Sequence, residues 1–191
     1  MKIDNTAILQ AAINILNTKG LSALSMRALA DQLNVKAASL YFHIKNKDEL
    51  LEQISEGISE RVYTHLESMK DPDLRQLMTV FRDELKNIQD SPQIFSNTAP
   101  FTPYRTKLIE ISLTHITRLG IAPAHATAVG NLVNNYVLSF VADEQYFARV
   151  DQSSFEATPF QSPIDMAEPD HSFEFGLDLI FAGIAAKGTA E

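Results

Sequence analysis

The stretch "VKAASLYFHIKNK", residues 35–47, decides the fold because it follows one helix signal, precedes another and carries two adjacent aromatics. At about 100° per residue, Leu40 points to one side of a short helix, and Tyr41 and Phe42 fall on the opposite arc. A helix this short is not stable alone, so the two rings need a partner. They pack against the chain's own fourth helix as a satellite of the core, or they meet another molecule.

Helix signals flank this stretch on both sides. Asp4 precedes an amphipathic run that ends at a glycine, and Ser25 precedes a second, shorter run that ends near Asn34. Asn46 and Glu49, three residues apart, predict a capping box for a long fourth helix. Three short helices joined by tight turns are typical of a helix-turn-helix DNA-binding domain.

The remaining signals are also helical, and strand signals are nearly absent, so the sequence predicts an all-α fold. The predicted elements are a fifth helix that begins at Asp71, an interrupted stretch at 90–103, helices at 104–119, 123–148 and 171–187, and a loop at 149–170. A loop of that length is uncommon in a compact domain and is often functional.

Composition excludes several classes of function. The 191 residues include no cysteine, which excludes disulfides and thiol chemistry, and no apolar run of about 18 residues, so we expect no membrane segment. The N-terminal residues lack the apolar block of a signal peptide, and we therefore expect a cytoplasmic protein. No catalytic motif appears and the five histidines are scattered, so we predict no enzyme activity, no metal site and no cofactor.

The net charge of −8 is unevenly distributed. Residues 1–50 carry six Lys/Arg and four acids, a net +2, whereas the remainder carries ten basic and twenty acidic residues, a net −10. This asymmetry is a weak indication of a nucleic-acid-binding end.

Double-stranded DNA is a suitable partner for the exposed arc of the third helix. Ala37 and Ala38 allow the helix axis to approach the floor of the major groove, and Phe42 offers apolar surface to thymine methyl groups. The Tyr41 hydroxyl and the Lys47 ammonium are suited to phosphates.

The segment "AILQAAINILNTKGLSALSMRALADQLNVKAASLYFHIKNKDELLEQI", residues 7–54, resembles the N-terminal domain of the TetR family of bacterial transcriptional repressors. "VADEQYF" at 141–147 and "FEFGLDLIFAGI" at 173–184 resemble the tetracycline-repressor branch. The resemblance implies a helix-turn-helix domain at 1–46 and a helical ligand-binding and dimerisation domain at 47–191. It also implies a homodimer that binds a palindromic operator and is released by a small-molecule effector.

Carried over position by position, the resemblance implies DNA contacts in the second and third helices and at the start of the fourth. These residues are Ser25, Arg27, Lys36, Ala37, Ala38, Ser39, Tyr41, Phe42, His43 and Lys47. The tetracycline repressor has glutamine and proline where this chain has Ala37 and Ala38. An alanine cannot hydrogen-bond a base edge, so we expect a different operator.

The resemblance also implies a ligand pocket in the C-terminal domain. The candidate lining residues are Tyr63, Phe81, Phe95, Phe101, Tyr104, His115, Asn131, Asn134, Asn135 and Gln145. The stripe of Asn131, Asn135 and Ser139 suits either a pocket wall or a solvated face. Tyr63 and Phe95 stand where the tetracycline repressor has the two histidines of its magnesium–drug site, so we expect a more apolar or aromatic effector.

The last helix is the candidate dimer interface, since family members pair through their last two long helices. Gly176 and Gly183 are seven residues apart and share a face near Leu179 and Ile180, which permits close helix approach. The alternative is that this helix is an ordinary buried helix of a monomer.

The second candidate function is a DNA-binding regulator that is independent of ligand or controlled by a partner protein.

Overall fold

A computed structural model describes residues 4–150 and 168–188, and every regular element in these two ranges is helical. The predicted all-α fold is confirmed. The helices are α1 (Asn5–Lys19), a 3-10 turn (Leu21–Ala23), α2 (Met26–Gln32), α3 (Ala37–Leu40), α4 (Lys47–Ser68), α5 (Leu74–Lys86), α6 (Ser91–Asn97), α7 (Pro103–Arg118), α8 (Pro123–Phe147) and α9 (Pro169–Gly188).

The first two helices begin and end at the predicted residues. The Asp4 side chain accepts a hydrogen bond from the amide of Ala7 at 2.8 Å, and Gly20 closes α1 with a positive φ of 78°. The Ser25 hydroxyl accepts from the amide of Ala28, and Asn34 adopts the left-handed conformation after α2. Short-range capping therefore fixes the ends of both helices.

Three details differ from the sequence predictions. The third helix, predicted over residues 36–43, ends at Leu40 and continues as a turn. Asn46 accepts from the amide of Glu49, but the Glu49 carboxylate accepts from Lys45 rather than closing a reciprocal box. α5 begins after Asp73, which forms a true capping box with Gln76, and not at Asp71. Most of the predicted loop at 149–170 lies outside the described residues.

α4 joins the two parts of the molecule. Leu50 and Ile54 near its start belong to the same core as α1, while Ile58, Val62 and Leu66 pack into the C-terminal bundle against α5 and α7. α8 packs on α5, α6 and α7, and α9 packs on α8. Across residues 4–150 and 168–188, no helix is long and apolar enough to cross a membrane.

Candidate functional site

The recognition segment, residues 36–43, presents its aromatic side chains to solvent. Leu40 is fully buried and anchors the segment in the core, whereas Tyr41 and Phe42 expose 53% and 89% of their surface. Because Phe42 is almost wholly exposed and Tyr41 exposes half of its surface within the described residues, the alternative in which both rings belong to a satellite of the core is wrong. The third helix is held by α2, which packs against it, and the amide of Val35 donates to the carbonyl of Ala30 in the intervening turn.

The other predicted DNA contacts surround this segment. Arg27, Lys36 and His43 are exposed and make no ion pair in the described part of the chain. The Ser25 hydroxyl is used as the cap of α2, and the Lys47 ammonium donates to the carbonyl of Leu21 at 3.3 Å. The remaining predicted contacts are Ala37 and Ser39, which are partly buried, and Ala38, which is exposed.

A cavity of about 480 Å³ lies inside the C-terminal bundle between α4, α5, the α6–α7 region and α8. Four of the ten predicted ligand residues line it: Phe81, Phe95, Asn131 and Asn134. The rings of Phe81 and Phe95 meet edge to face with centroids 5.1 Å apart. The other lining residues are Ser59, Leu77, Met78, Thr98, Pro100, Arg105, Leu108, Ile109, Ser112, Leu113, Thr127 and Gly130.

Arg105 is the one ionisable residue among the twelve described lining residues that the sequence did not predict. Its guanidinium stacks over the Phe95 ring at 4.7 Å and donates to carbonyl groups of the α6–α7 connection. Burial lowers the pKa of this arginine, because partial removal from water disfavours the charged form. The sequence does contain a signal for this position. Arg105 precedes Leu108 by three residues and Ser112 by seven, and residues at this spacing share a helix face.

Six predicted ligand residues lie outside this cavity: Tyr63, Phe101, Tyr104, His115, Asn135 and Gln145. Tyr63 and Tyr104 pair on the outer side of α4 and α7 with the Lys107 ammonium 4.7 and 4.8 Å from their ring centroids. Phe101 is 84% exposed, and Asn135 is also exposed. His115 lies in a separate surface groove between α5 and α7.

The surroundings of the two tyrosines are acidic. A hydrogen bond to Glu67 raises the pKa of Tyr63, and the negative charge of Glu60 raises the pKa of Tyr104. These rings therefore belong to a charged outer face and not to the apolar cavity wall.

Two sequence profiles match the chain. Together they cover most of the head, which α1, α2 and α3 form, and of the bundle, which α4–α9 form. One, described as bacterial regulatory proteins of the tetR family, matches residues 8–54, and the other, described as a tetracyclin repressor-like C-terminal domain, matches residues 71–187. The chain belongs to the TetR family. TetR-family proteins are DNA-binding transcription factors and not enzymes, as the sequence analysis predicted.

Related proteins and solved structures match this TetR-family chain over nearly its whole length. The class A tetracycline repressor from transposon 1721 of Escherichia coli is 27% identical, covering 97% of this chain and 92% of that protein. A variant of TetR from Acinetobacter baumannii AYE in complex with minocycline is 26% identical with a TM-score of 0.76, covering 98% and 99% of the two chains. BioQ with its double-stranded DNA operator is 25% identical with a TM-score of 0.74, covering 97% and 99%.

The last helix of this TetR-family chain has two differently placed glycines. A Cβ at Gly176 would collide with the hydroxyl group of Tyr136 on α8, so this glycine serves close packing inside one chain. Gly183 has open space around it, and Leu179 nearby is 61% exposed. Ile180 is partly buried. Of the two glycines predicted at the dimer interface, Gly176 therefore packs against α8 of its own chain, and Gly183 lies beside open space.

A buried ion pair joins three helices of the bundle. The Arg82 guanidinium donates to both carboxylate oxygens of Glu144 at 3.0 and 2.6 Å and lies over the rings of Phe140 and Phe173. Asp170 at the start of α9 binds the same guanidinium at 2.8 Å. This cluster fixes α5, α8 and α9 to one another.

A polar junction connects the head to the bundle. The Asp90 carboxylate accepts from the amide of Leu21 at 2.7 Å, and Asn17 bonds both to the carbonyl of Asn87 and to the amide of Gln89. Gln145 of α8, a predicted ligand residue, lies at this junction and not at the cavity. Its side-chain oxygen accepts a hydrogen bond from the amide of Asp90. The connection before α6 is therefore held by both parts of the molecule.

Proposed function

We propose that this TetR-family protein is a transcriptional repressor that binds a palindromic operator as a homodimer and is released by a small-molecule effector. The observation that carries the proposal is α4, which begins at Lys47, four residues after the exposed recognition segment, and lines an open cavity through Ser59. One helix thus connects a surface suited to DNA with a site suited to a ligand.

The DNA-binding residues we propose are the ten predicted from the sequence, centred on the recognition segment. In support, an exposed phenylalanine beside small residues suits the apolar methyl groups of the major groove, and exposed Arg27 and Lys36 suit phosphates. BioQ, a similar structure, was solved with its operator DNA. We propose residues 1–46 as the DNA-binding domain and 47–191 as the ligand-binding and dimerisation domain.

The dimer we propose pairs the exposed faces of α8 and α9. Leu132 and Tyr146 on α8 and Phe175 and Leu179 on α9 are large apolar side chains with more than half of their surface in solvent. Apolar residues in such number on adjacent helices are typical of an interface. Two recognition segments related by a two-fold axis require a palindromic operator.

The effector acts, in this proposal, by favouring a conformation in which the two heads no longer match the half-site spacing. It must prefer that state by several kcal/mol to change occupancy of the operator. A magnesium–tetracycline complex is not the effector we expect, because Tyr63 faces away from the cavity and Phe95 offers only an apolar ring. Binding to genomic DNA would place the protein in the cytoplasm.

The first test is selection of randomised duplex DNA by the purified protein at two salt concentrations. We expect an enriched palindrome whose affinity falls steeply with salt, because phosphate contacts release counterions. Absence of any enrichment would contradict the proposal.

The second candidate function is a regulator that needs no small-molecule ligand. A bundle without a cavity would favour that function, and the open cavity argues against it.

A further inference from the structure

We propose that the effector is an aromatic anion whose carboxylate, sulfonate or phenolate group binds the Arg105 guanidinium in the cavity. The inference rests on the proposed function, since it names the chemical class of the effector for the same site. It replaces the general expectation of an apolar or aromatic compound with a charged one.

The charge pattern of the cavity is the first observation. Arg105 is the one ionisable residue among those that line the cavity; the others are apolar residues, hydroxyl side chains and two asparagines. An arginine in such a site normally has a carboxylate beside it, because a charge taken out of water needs a partner. Among the described residues, no carboxylate lies within ion-pair distance of this guanidinium.

The nearest acid is already engaged elsewhere. The Glu56 carboxylate of α4 accepts hydrogen bonds from the backbone amides of Tyr104 at 2.8 Å and Arg105 at 3.4 Å, at the N-terminal end of α7. It therefore satisfies orphan amides of that helix and interacts with the helix dipole. Glu56 and Glu52 act on the guanidinium only through longer-range attraction.

The hydrogen bonds of Arg105 go only to neutral oxygens. Its Nη1 donates to the Thr98 hydroxyl at 2.6 Å, the Thr98 carbonyl at 3.1 Å, the Ala99 carbonyl at 3.2 Å and the Ser55 hydroxyl at 3.5 Å. Its Nη2 donates to the Phe95 carbonyl at 3.2 Å. Nε makes no hydrogen bond within the described residues, so Nε–H and the second Nη2 hydrogen remain as donors for an anion.

These bonds hold the guanidinium in place before any ligand arrives. Stacking on Phe95 and donation to three carbonyl groups restrict its rotamers, so binding an anion there costs little side-chain entropy. Burial lowers the pKa of Arg105, because partial removal from water disfavours the charged guanidinium. An anion in the cavity would offset this penalty.

The other lining residues determine which ring system the cavity accommodates. Phe81, Phe95, Leu108 and Leu113 provide an apolar surface suited to flat rings, and Asn131 provides an amide for an additional oxygen. A cavity of about 480 Å³ accommodates a compound of two or three rings.

The test compares two fluorescent probes that share one ring skeleton. 1-Anilinonaphthalene-8-sulfonate carries an anionic group, and N-phenyl-1-naphthylamine lacks it; both emit strongly when their rings leave water. We expect the full-length protein to bind the sulfonate about tenfold more tightly, since a hydrogen-bonded charge pair contributes at least that factor. Arg105→Gln should weaken sulfonate binding about tenfold and leave binding of the neutral probe within a factor of about two.

Three further variants make the result specific. Lys107→Gln removes a cation from the outer face of the same helix and should change neither affinity. Arg105→Lys keeps the charge and should retain part of the preference. Ser112→Phe fills the cavity and should abolish binding of both probes, which locates them there.

The proposal is overturned if the wild-type protein binds both probes equally or fails to bind the sulfonate. It is also overturned if Arg105→Gln weakens both probes by the same factor, because that is the result expected of a merely structural arginine. DNA selection with the same proteins separates the two proposals. A preference for the sulfonate without an enriched palindrome would reject the proposed operator binding and keep the anion site. An enriched palindrome without a preference for the sulfonate would keep the proposed operator binding and reject the anion site.

Discussion

Phe42 places most of a phenylalanine ring in water, although an exposed ring forgoes the free energy that burial would supply. A single exposed apolar residue needs no explanation in general. This one, however, lies next to exposed Tyr41 on a helix-turn-helix segment whose buried residue, Leu40, already secures the fold. The position of Phe42 is therefore better explained by a bound partner than by packing.

Replacing this ring should affect DNA binding and not folding. We expect Phe42→Ala to weaken operator binding about tenfold, because the apolar contact with the groove is lost, with the unfolding transition unchanged. Fluorescence anisotropy on the selected operator measures the first quantity and thermal unfolding the second. Phe101→Ala, which removes a comparably exposed ring from the bundle, is the control and should leave operator affinity unaltered.

The buried pair of Arg82 and Glu144 predicts a large effect on stability. Glu144→Ala leaves the guanidinium with only the exposed Asp170, so we expect the free energy of unfolding to fall by about 3 kcal/mol. Urea denaturation at fixed protein concentration measures the change. Glu84→Ala breaks the more exposed pair with Arg61 and should cost less than about 1 kcal/mol; equal costs for the two variants would argue against this account.

At the scale of the helix, the sequence was most informative where structure is determined locally. Asp4 and Ser25 cap the helices they were predicted to cap, because a capping side chain bonds to an amide only three residues away. The start of α5 was misplaced because two aspartates stand two residues apart, and only Asp73 has a glutamine three positions later.

The cavity wall was harder to predict because it depends on how each helix is rotated in the bundle. Tyr63 and Tyr104 are aromatic and stand at helical positions, yet their side of α4 and α7 faces outward. Phe81 and Phe95 were identified correctly, and Arg105 was missed because an arginine is normally expected in solvent. Periodicity identifies faces, and tertiary packing decides which face turns inward.

The two glycines of α9 should respond differently to substitution. Gly183→Trp adds a bulky side chain in open space, so we expect an intact fold but a monomer in sedimentation velocity, because the paired helices cannot approach. Gly176→Ala places a methyl group against Tyr136 and should instead lower the unfolding free energy by about 1–3 kcal/mol. A dimer that survives Gly183→Trp would place the interface elsewhere.

At the scale of the whole molecule, charge is divided between a mildly basic head and an acidic remainder. The acidic bundle repels DNA, so attraction depends on a few cations near the recognition segment. Lys36→Gln removes one such cation from each head of a dimer. We expect the slope of log affinity against log salt to become less steep by about 2.

Phe42→Ala provides the comparison for that measurement. It removes apolar contact and no charge, so affinity should fall while the salt slope stays the same. An unchanged slope in Lys36→Gln would place this lysine away from phosphates.

In the proposed mechanism, α4 is a rigid connection between the cavity and the head. Ser59 at the cavity and Asn46 at the head are separated by 13 positions, which at 1.5 Å per residue corresponds to about 20 Å of helix. Tilting a rigid arm of that length by about 5° displaces its far end by about 1.7 Å. In the proposed dimer, the displacements of the two heads add or cancel according to the two-fold axis. A small angular change at each cavity would then become a mismatch of several ångströms across the DNA.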